Sequence, residues 1–307
     1  MINITIVVPI YNKANTVLQA LNSILYQSYN RYEVIIIDDG STDDSSKVIF
    51  NWISNLDCVA SNKFKLFNQV NSGVSSARNK GVLLARFEYI AFLDADDYWE
   101  NYHLDNLLIL ITRYGSDVNL FSAGIKYYSD GIFNFPKIPQ KYQNDFNKLD
   151  YFKVALISHG FVNASSVCCK TSSLIQHPFP LDMSNFEDSI TWARICGSKG
   201  FAFSPSRTSI YVLDNNEGSS IINFTNYIRF RDILYTIKDV SFLKLSLFLF
   251  LFTLFHLFHV KTRYTFSNFL SNSAKIIFKS FIVDFAILIA IITPAKLLSW
   301  AKKIRVA

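Results

Sequence analysis

The sequence predicts an α/β fold, a mostly parallel sheet with helices on both faces, followed by a basic and apolar helical tail. Three observations predict it. Residues 3–9 and 33–38 are near-continuous β-branched runs, the pattern of strands buried on both faces. Segments of helical spacing separate such runs through the first hundred residues, so strand and helix alternate. Charge is segregated: residues 1–237 carry 20 Lys and Arg against 22 Asp and Glu, whereas residues 238–307 carry 10 against two.

The elements follow in order. Residues 3–9 have no basic leader and no small-residue cleavage site, so they read as a strand rather than a secretory signal. Residues 14–27 place Val17, Leu18, Leu21, Ile24 and Leu25 on one helical face. Residues 33–38 are the second strand, 43–55 a helix and 64–67 a short strand. Residues 74–86 form a helix and 88–93 a fourth strand. Beyond residue 98 the pattern loosens. It gives a helix near 101–114, strands near 117–128 and 164–169, and a helix over 187–198. The expected organisation is a domain over 1–240, with a ligand-binding half over 1–100 and a second half over 101–240, and a tail over 241–307.

Composition excludes several classes. Half of the 307 residues are hydrophobic, enough to bury a core, which excludes a disordered chain. No apolar run before residue 240 approaches the ~20 residues of a membrane span, which excludes a polytopic membrane protein. Four cysteines (Cys58, Cys168, Cys169, Cys196) without a CxxC argue for buried free thiols. The tail holds 11 of the 28 phenylalanines, and basic charge among aromatics suits a membrane surface better than nucleic acid. Its apolar runs, 245–260 and 281–293, fall short of a span. Three readings stand: a short hairpin, a pair of in-plane interfacial helices on anionic lipid, or a cover for an apolar flank or a homodimer interface.

Polar clusters follow three of the strands: Pro9-Ile10-Tyr11-Asn12, Asp38-Asp39-Gly40-Ser41-Thr42-Asp43 and Asp94-Ala95-Asp96-Asp97. Ligands of open α/β sheets bind outside the carboxyl ends of the strands, so three clusters at that edge mark a binding site. Asp94 and Asp96, with Asp97 beside them, offer hard oxygen ligands that suit Mg²⁺ or Mn²⁺ and a phosphate-bearing substrate. Asp39 suits a base N–H or a ribose hydroxyl, Tyr11 suits a base face, and Arg78 suits a diphosphate or a solvated helix face. Neither a P-loop nor a dinucleotide fingerprint is present.

The segments 7–29, 33–45, 71–81 and 89–99 together resemble the inverting, nucleotide-sugar-dependent glycosyltransferases of family 2, which have the Rossmann-like GT-A fold. The resemblance returns at Asn185–Ser189, where Glu187-Asp188 looks like the family's ED pair. It implies that Pro9, Tyr11, Asp39 and Arg78 hold the nucleotide, Asp94 the ribose and Asp96 the divalent cation. Asp188 would be the catalytic base, with Asp97 and Glu187 as accessory groups. Acidic residues also suit the first turn of a helix, so the pair has a plain structural reading as well. No QxxRW-type motif follows, which implies addition of a single sugar. Asp214–Asn216 stand where many non-processive members carry a histidine. The resemblance and the tail together imply a UDP-sugar donor and a polyprenyl-diphosphate-linked saccharide acceptor in O-antigen or capsule synthesis. The expected location is the cytoplasmic face of a bacterial inner membrane, with residues 241–307 at its anionic surface. An inactive nucleotide-sugar-binding scaffold is the alternative, and intact Asp39, Asp94, Asp96 and Asp188 argue against it.

Overall fold

The computed structural model describes residues 1–155, 161–183 and 186–213, together with residues 237, 239–241, 245 and 248. The chain divides into two units, Met1–Ile222 and Asn223–Ala307. Of the second only residues 237, 239–241, 245 and 248 are described, with one helix-spaced bond from the Leu245 N–H to the Ser241 carbonyl. The expected membrane-associating tail therefore falls outside the described residues, apart from Ser241, Leu245 and Phe248. Among the described residues no helix is long and apolar enough to cross a membrane.

The first unit is built on one twisted sheet. Strands β1 (Ile4–Ile10) and β2 (Tyr32–Asp38) are buried along their whole length, as their β-branched runs require. Helix α1 (Val17–Leu25) connects them, burying Val17, Ala20, Leu21 and Ile24. Helices α2 (Ser45–Ser54) and α3 (Cys58–Ser61) lead to β3 (Phe64–Asn68). Helix α4 (Val74–Leu84) then crosses to β4 (Tyr89–Phe92). Short β5 (Tyr98–Trp99), α5 (His103–Tyr114), β6 (Leu120–Ser129) and β7 (Ile132–Asn134) follow. The chain continues through β8 (Asn147–Leu149), α6 (Tyr151–Val154), β9 (Val167–Lys170), α7 (Thr171–Gln176), α8 (Glu187–Cys196) and β10 (Phe201–Val212).

The strand order is β3-β2-β1-β4-β9-β6-β10-β5, with β7 on β6 and β8 on β10. The pairs β3/β2, β2/β1, β1/β4 and β6/β10 are parallel, and β9 runs antiparallel between β4 and β6. The order reverses between β1 and β4: α1 leads from β1 to one side and α4 returns the chain to the other. That reversal opens a crevice at the carboxyl ends of β1 and β4. Helix α4 packs hard on β1, because Gly81 has no side chain; a Cβ there would stand 2.3 Å from Val7 Cγ1.

Twelve-residue β10 was not among the expected strands. Its pattern FAFSPSRTSIYV is interrupted by Pro205, and the pairing with β6 slips twice between Ser204 and Ser209. A proline within a strand is accommodated at such a bulge, which blurs the alternation that marks a strand. The expected strand over 164–169 begins instead with a 3₁₀ turn at Ala164–Ser166. Cys168, Cys169 and Cys196 are buried free thiols as expected, whereas Cys58 is exposed on short α3.

Candidate active site

The loops after β1 and β2 are stitched together. Asn12 adopts a left-handed conformation at φ 53°, which a short polar side chain tolerates. Its Oδ1 accepts the Thr42 N–H at 2.7 Å, while the Asn12 N–H donates to Ser41 Oγ at 3.0 Å. The Lys13 N–H donates to Ser45 Oγ at 2.8 Å and the Ala14 N–H to Asp43 Oδ2 at 3.1 Å. Pro9 sits two residues past the last β1–β4 pair, Val7 with Phe92, where one flank of the strand has no ladder. Tyr11 stands at the rim, 46% exposed.

Asp39 is buried and faces the start of α4. Its Oδ1 accepts from Gln69 Nε2 at 2.6 Å and the Ser72 N–H at 2.8 Å, and its Oδ2 from the Gly73 N–H at 2.7 Å. Gly73, the residue capping α4, has no side chain to bond its own helix, and φ is +86°. Asp39 thus caps that helix end from the loop after β2.

Arg78 is not on a solvated face. Its side chain is 4% exposed, and Nη2 donates to Asp94 Oδ1 at 2.8 Å and Oδ2 at 3.1 Å. Nη1 donates to Glu187 Oε1 at 3.1 Å. The guanidinium lies 5.4 Å from the Phe179 ring, which packs with Phe92 and Trp192 in a buried aromatic floor. Burial alone would lower the Arg78 pKa, but Asp94, Glu187 and Asp188 outweigh it and raise it, so the cation is locked. Next to it, Asn79 makes two bonds to Phe179: Nδ2 donates to the carbonyl at 2.8 Å and Oδ1 accepts the N–H at 2.9 Å. These bonds tie α4 to the segment leading into α8.

Phe186, the residue before α8, has φ +66°. A bulky residue in that left-handed region is strained, and such strain gathers at functional positions. Glu187 and Asp188 follow in the first turn. Burial and the Asp188 charge raise the Glu187 pKa despite Arg78. Asp188 is half-buried, and its Oδ1 accepts the Ser189 N–H at 2.5 Å and the Ser189 hydroxyl at 3.2 Å.

The three aspartates after β4 have different surroundings. Asp94 meets Arg78. Asp96 points across the crevice to Lys13, whose Nζ is 2.8 Å from its Oδ2; the two side chains are 25% (Lys13) and 33% (Asp96) exposed. Asp97 turns inward and is buried, accepting from Ser165 Oγ at 2.5 Å and the Val212 N–H at 3.0 Å. Burial, then the Asp94 and Asp96 charges, push its carboxyl well above the usual range. Ser165 Oγ also accepts the Asp94 N–H at 3.1 Å, so it braces the whole turn.

The structure therefore brings Arg78, Asp94 and Glu187 into direct contact, with Asp188 adjacent, and faces Asp96 with Lys13. Asp39 belongs to the neighbouring loop cluster and Tyr11 to the rim. Sequence reasoning missed Lys13, Asn79 and Ser165. Lys13 and Asn79 lie inside segments quoted for the resemblance, so a polar residue beside a motif position was the available signal. Ser165 carried none.

Asp96 fits a hard divalent cation. It is a part-exposed carboxylate in the turn after β4, with hard oxygen atoms of the kind such a cation takes. Among the described residues no group of three His, Cys, Asp or Glu could hold a metal. Further ligands would come from substrate oxygens and water, as Mg²⁺ and Mn²⁺ commonly have them.

Comparison with known proteins places this geometry. An uncharacterized glycosyltransferase of Rickettsia conorii is 26% identical over 241 residues, 73% of this chain and 37% of that protein. Glycosyltransferase GlyA of Streptococcus pneumoniae is 32% identical over 139 residues, 45% of this chain and 19% of that protein. The chain thus spans well under half the length of these relatives. The crystal structure of S. aureus TarS 1-349 in complex with UDP-GlcNAc superposes with a TM-score of 0.72 at 17% identity, covering 92% of this chain and 81% of that one. That likeness shows the GT-A fold. Residues 5–172, which carry the crevice from β1 to β9, match the model of glycosyl transferase family 2, and the chain belongs to that family.

Proposed function

We propose that the chain is a non-processive, inverting glycosyltransferase that moves a hexosyl or N-acetylhexosaminyl group from a UDP-sugar to a hydroxyl of a lipid-linked saccharide. One observation carries the reading: a single buried guanidinium, Arg78, grips Asp94 on the crevice side and Glu187 beside Asp188. The donor and base positions that the family resemblance assigns are thereby held within one ion network.

In this reading Pro9, Tyr11 and Asp39 line the nucleotide and Asp94 meets the ribose; Arg78, which the resemblance assigned to the nucleotide, instead fixes Asp94 and Glu187. Asp96 would hold the divalent cation, which would supply neutralisation of the diphosphate leaving group. Asp188 accepts the proton of the acceptor hydroxyl as the new C–O bond forms on the sugar face opposite the diphosphate. The anomeric C–O bond to the diphosphate breaks in the same displacement, and nucleoside diphosphate leaves. Ser189 fixes one oxygen of Asp188 through two bonds, which orients the carboxylate. A UDP-sugar donor is supported by the bound UDP-GlcNAc of the TarS structure. The polyprenyl-diphosphate acceptor, the polysaccharide pathway and the inner-membrane face are supported by the basic, phenylalanine-rich residues 238–307.

The test is release of UDP from UDP-GlcNAc and other UDP-sugars with Mn²⁺ and a polyprenyl-diphosphate saccharide. Asp188→Asn is expected to bind donor as the parent does and to lose transfer by about 10²–10⁴-fold. Near-parental turnover in Asp188→Asn overturns the base assignment, and release of pyrophosphate instead of UDP overturns the reaction class.

A further inference from the structure

The Lys13–Asp96 pair is not explained by the fold. Both side chains lie at the mouth of the crevice, on loops from the two strands whose divergence creates it. Neither loop needs the pair for its shape. Lys13 is placed by its own backbone: its N–H is held by Ser45 Oγ at 2.8 Å and its carbonyl accepts the Thr16 and Val17 N–H groups at 3.1 and 3.0 Å. The Asp94–Asp97 turn is closed by the Asp97 N–H donating to the Asp94 carbonyl at 3.0 Å and is braced by Ser165. The side chains then meet across the gap at 2.8 Å.

The carboxylate environment accounts for the meeting. Asp94 is ion-paired with Arg78, which Glu187 shares, and Asp97 is buried with its carboxyl bonded by Ser165 and Val212. Asp96, 33% exposed, is the member of the turn that meets Lys13 rather than Arg78 or the core. A lysine ammonium is a compact point charge on a flexible stem, suited to neutralise a carboxylate without fixing its geometry. Arg78 shows the contrast: it is buried, and it grips two carboxylates.

We infer that Lys13 is an internal counter-cation, which occupies the cation position on Asp96 in the donor-free protein and yields it when a divalent cation arrives with the donor. The inference rests on the reading of Asp96 as the cation residue. The pair is partly exposed, so an incoming cation displaces it at a cost of no more than about fivefold in affinity. The released ammonium stays within reach of the crevice, where the diphosphate brings negative charge. Metal and donor binding are then coupled: the cation without a diphosphate must compete with Lys13, and the cation with one leaves Lys13 a new partner. By linkage, whatever factor the donor adds to cation affinity through Lys13, the cation adds to donor affinity.

The experiment measures Mn²⁺ binding to the full chain by the loss of the free Mn²⁺ EPR signal, with and without UDP, and needs no turnover. Lys13→Met is expected to bind Mn²⁺ alone about two- to fivefold tighter than the parent and to lose part of the enhancement that UDP confers. Lys13→Arg, which keeps the charge, is expected to bind Mn²⁺ alone as the parent does. Asp96→Asn is expected to abolish the UDP-linked Mn²⁺ binding. If Asp96→Asn keeps that binding, the cation assignment itself fails. If Asp96→Asn loses it while Lys13→Met binds Mn²⁺ no tighter than the parent, only the counter-cation role of Lys13 fails.

Discussion

Replacing Arg78 with methionine removes a buried cation that two part-buried carboxylates, Asp94 and Glu187, share. The apolar stem is kept, so the change is in charge rather than packing. Three charge-assisted contacts are lost, two to Asp94 and one to Glu187. Breaking a buried ion pair by deleting one partner costs about 3–5 kcal/mol, because the other charge stays behind. Asp94 is 27% exposed and can be rehydrated, but Glu187 is only 12% exposed, so the lower end, about 3 kcal/mol, is expected. The sign of the pH dependence follows from Glu187. Burial and Asp188 already raise its folded pKa above the ordinary value, and loss of Arg78 raises it further. A carboxyl with a raised folded pKa favours the folded state below its unfolded pKa, and that stability is lost as pH rises through the folded value. The variant should therefore lose least against the parent near pH 5 and most near pH 8. Urea unfolding across that range measures both, and the double variant R78M/E187Q should recover part of the loss at pH 8. A loss below about 1 kcal/mol that is flat with pH would refute the claim that the network is a buried, charged one.

Three further outcomes follow from single contacts. Gly81→Ala should destabilise by about 1–2 kcal/mol in urea, since overpacking against Val7 outweighs the helix-propensity gain of about 1 kcal/mol. Asp97→Ala should cost about 2 kcal/mol by stranding the Val212 N–H and Ser165 hydroxyl. For Glu33, burial pushes the carboxyl up, but bonds from Arg86 and Thr5 outweigh it and hold the pKa below its ordinary 4.5. Its stabilisation is present above that pH and is lost as pH falls through the folded value, so Glu33→Gln should cost about 1–2 kcal/mol at pH 7 and converge with the parent in acid.

The first half of the fold was legible because each of its elements announces itself locally. Strands β1 and β2 are buried on both sides and so are apolar throughout, and α1 shows its core face at helical spacing. The loops after them carry the polar clusters that parallel topology then gathers at one edge. The second half was less legible because its sheet is mixed and its longest strand is bulged around Pro205. Site residues followed the same division. Asp39, Asp94 and Asp96 could be named from their place after strands. The distinct surroundings of the Asp94-Ala95-Asp96-Asp97 run could not: which carboxylate meets Arg78, which meets Lys13 and which turns into the core depends on Ser165, Val212 and Lys13. Those partners lie 68, 115 and 83 positions away from the aspartates they touch or face.

The same distances explain why α4 matters more than its modest sequence suggests. Arg78 and Glu187 are 109 positions apart, and Asn79 and Phe179 are 100 apart, yet both links start from consecutive residues of one helix. Consecutive helix positions point about 100° apart, so one reaches into the crevice while the other grips the strand-side segment before α8. A single helix turn thus fixes both the direction of approach to α8 and the charge at its first turn. Helix α4 is itself placed by Asp39 at one end and by the Gly81–Val7 contact near the other. Change at either end should therefore be felt at Glu187 and Asp188, although neither end touches them. The loop carrying Asp39 and the helix carrying Arg78 form one bracket, and the position of Asp188 relative to Asp94 is a property of that bracket rather than of α8 alone.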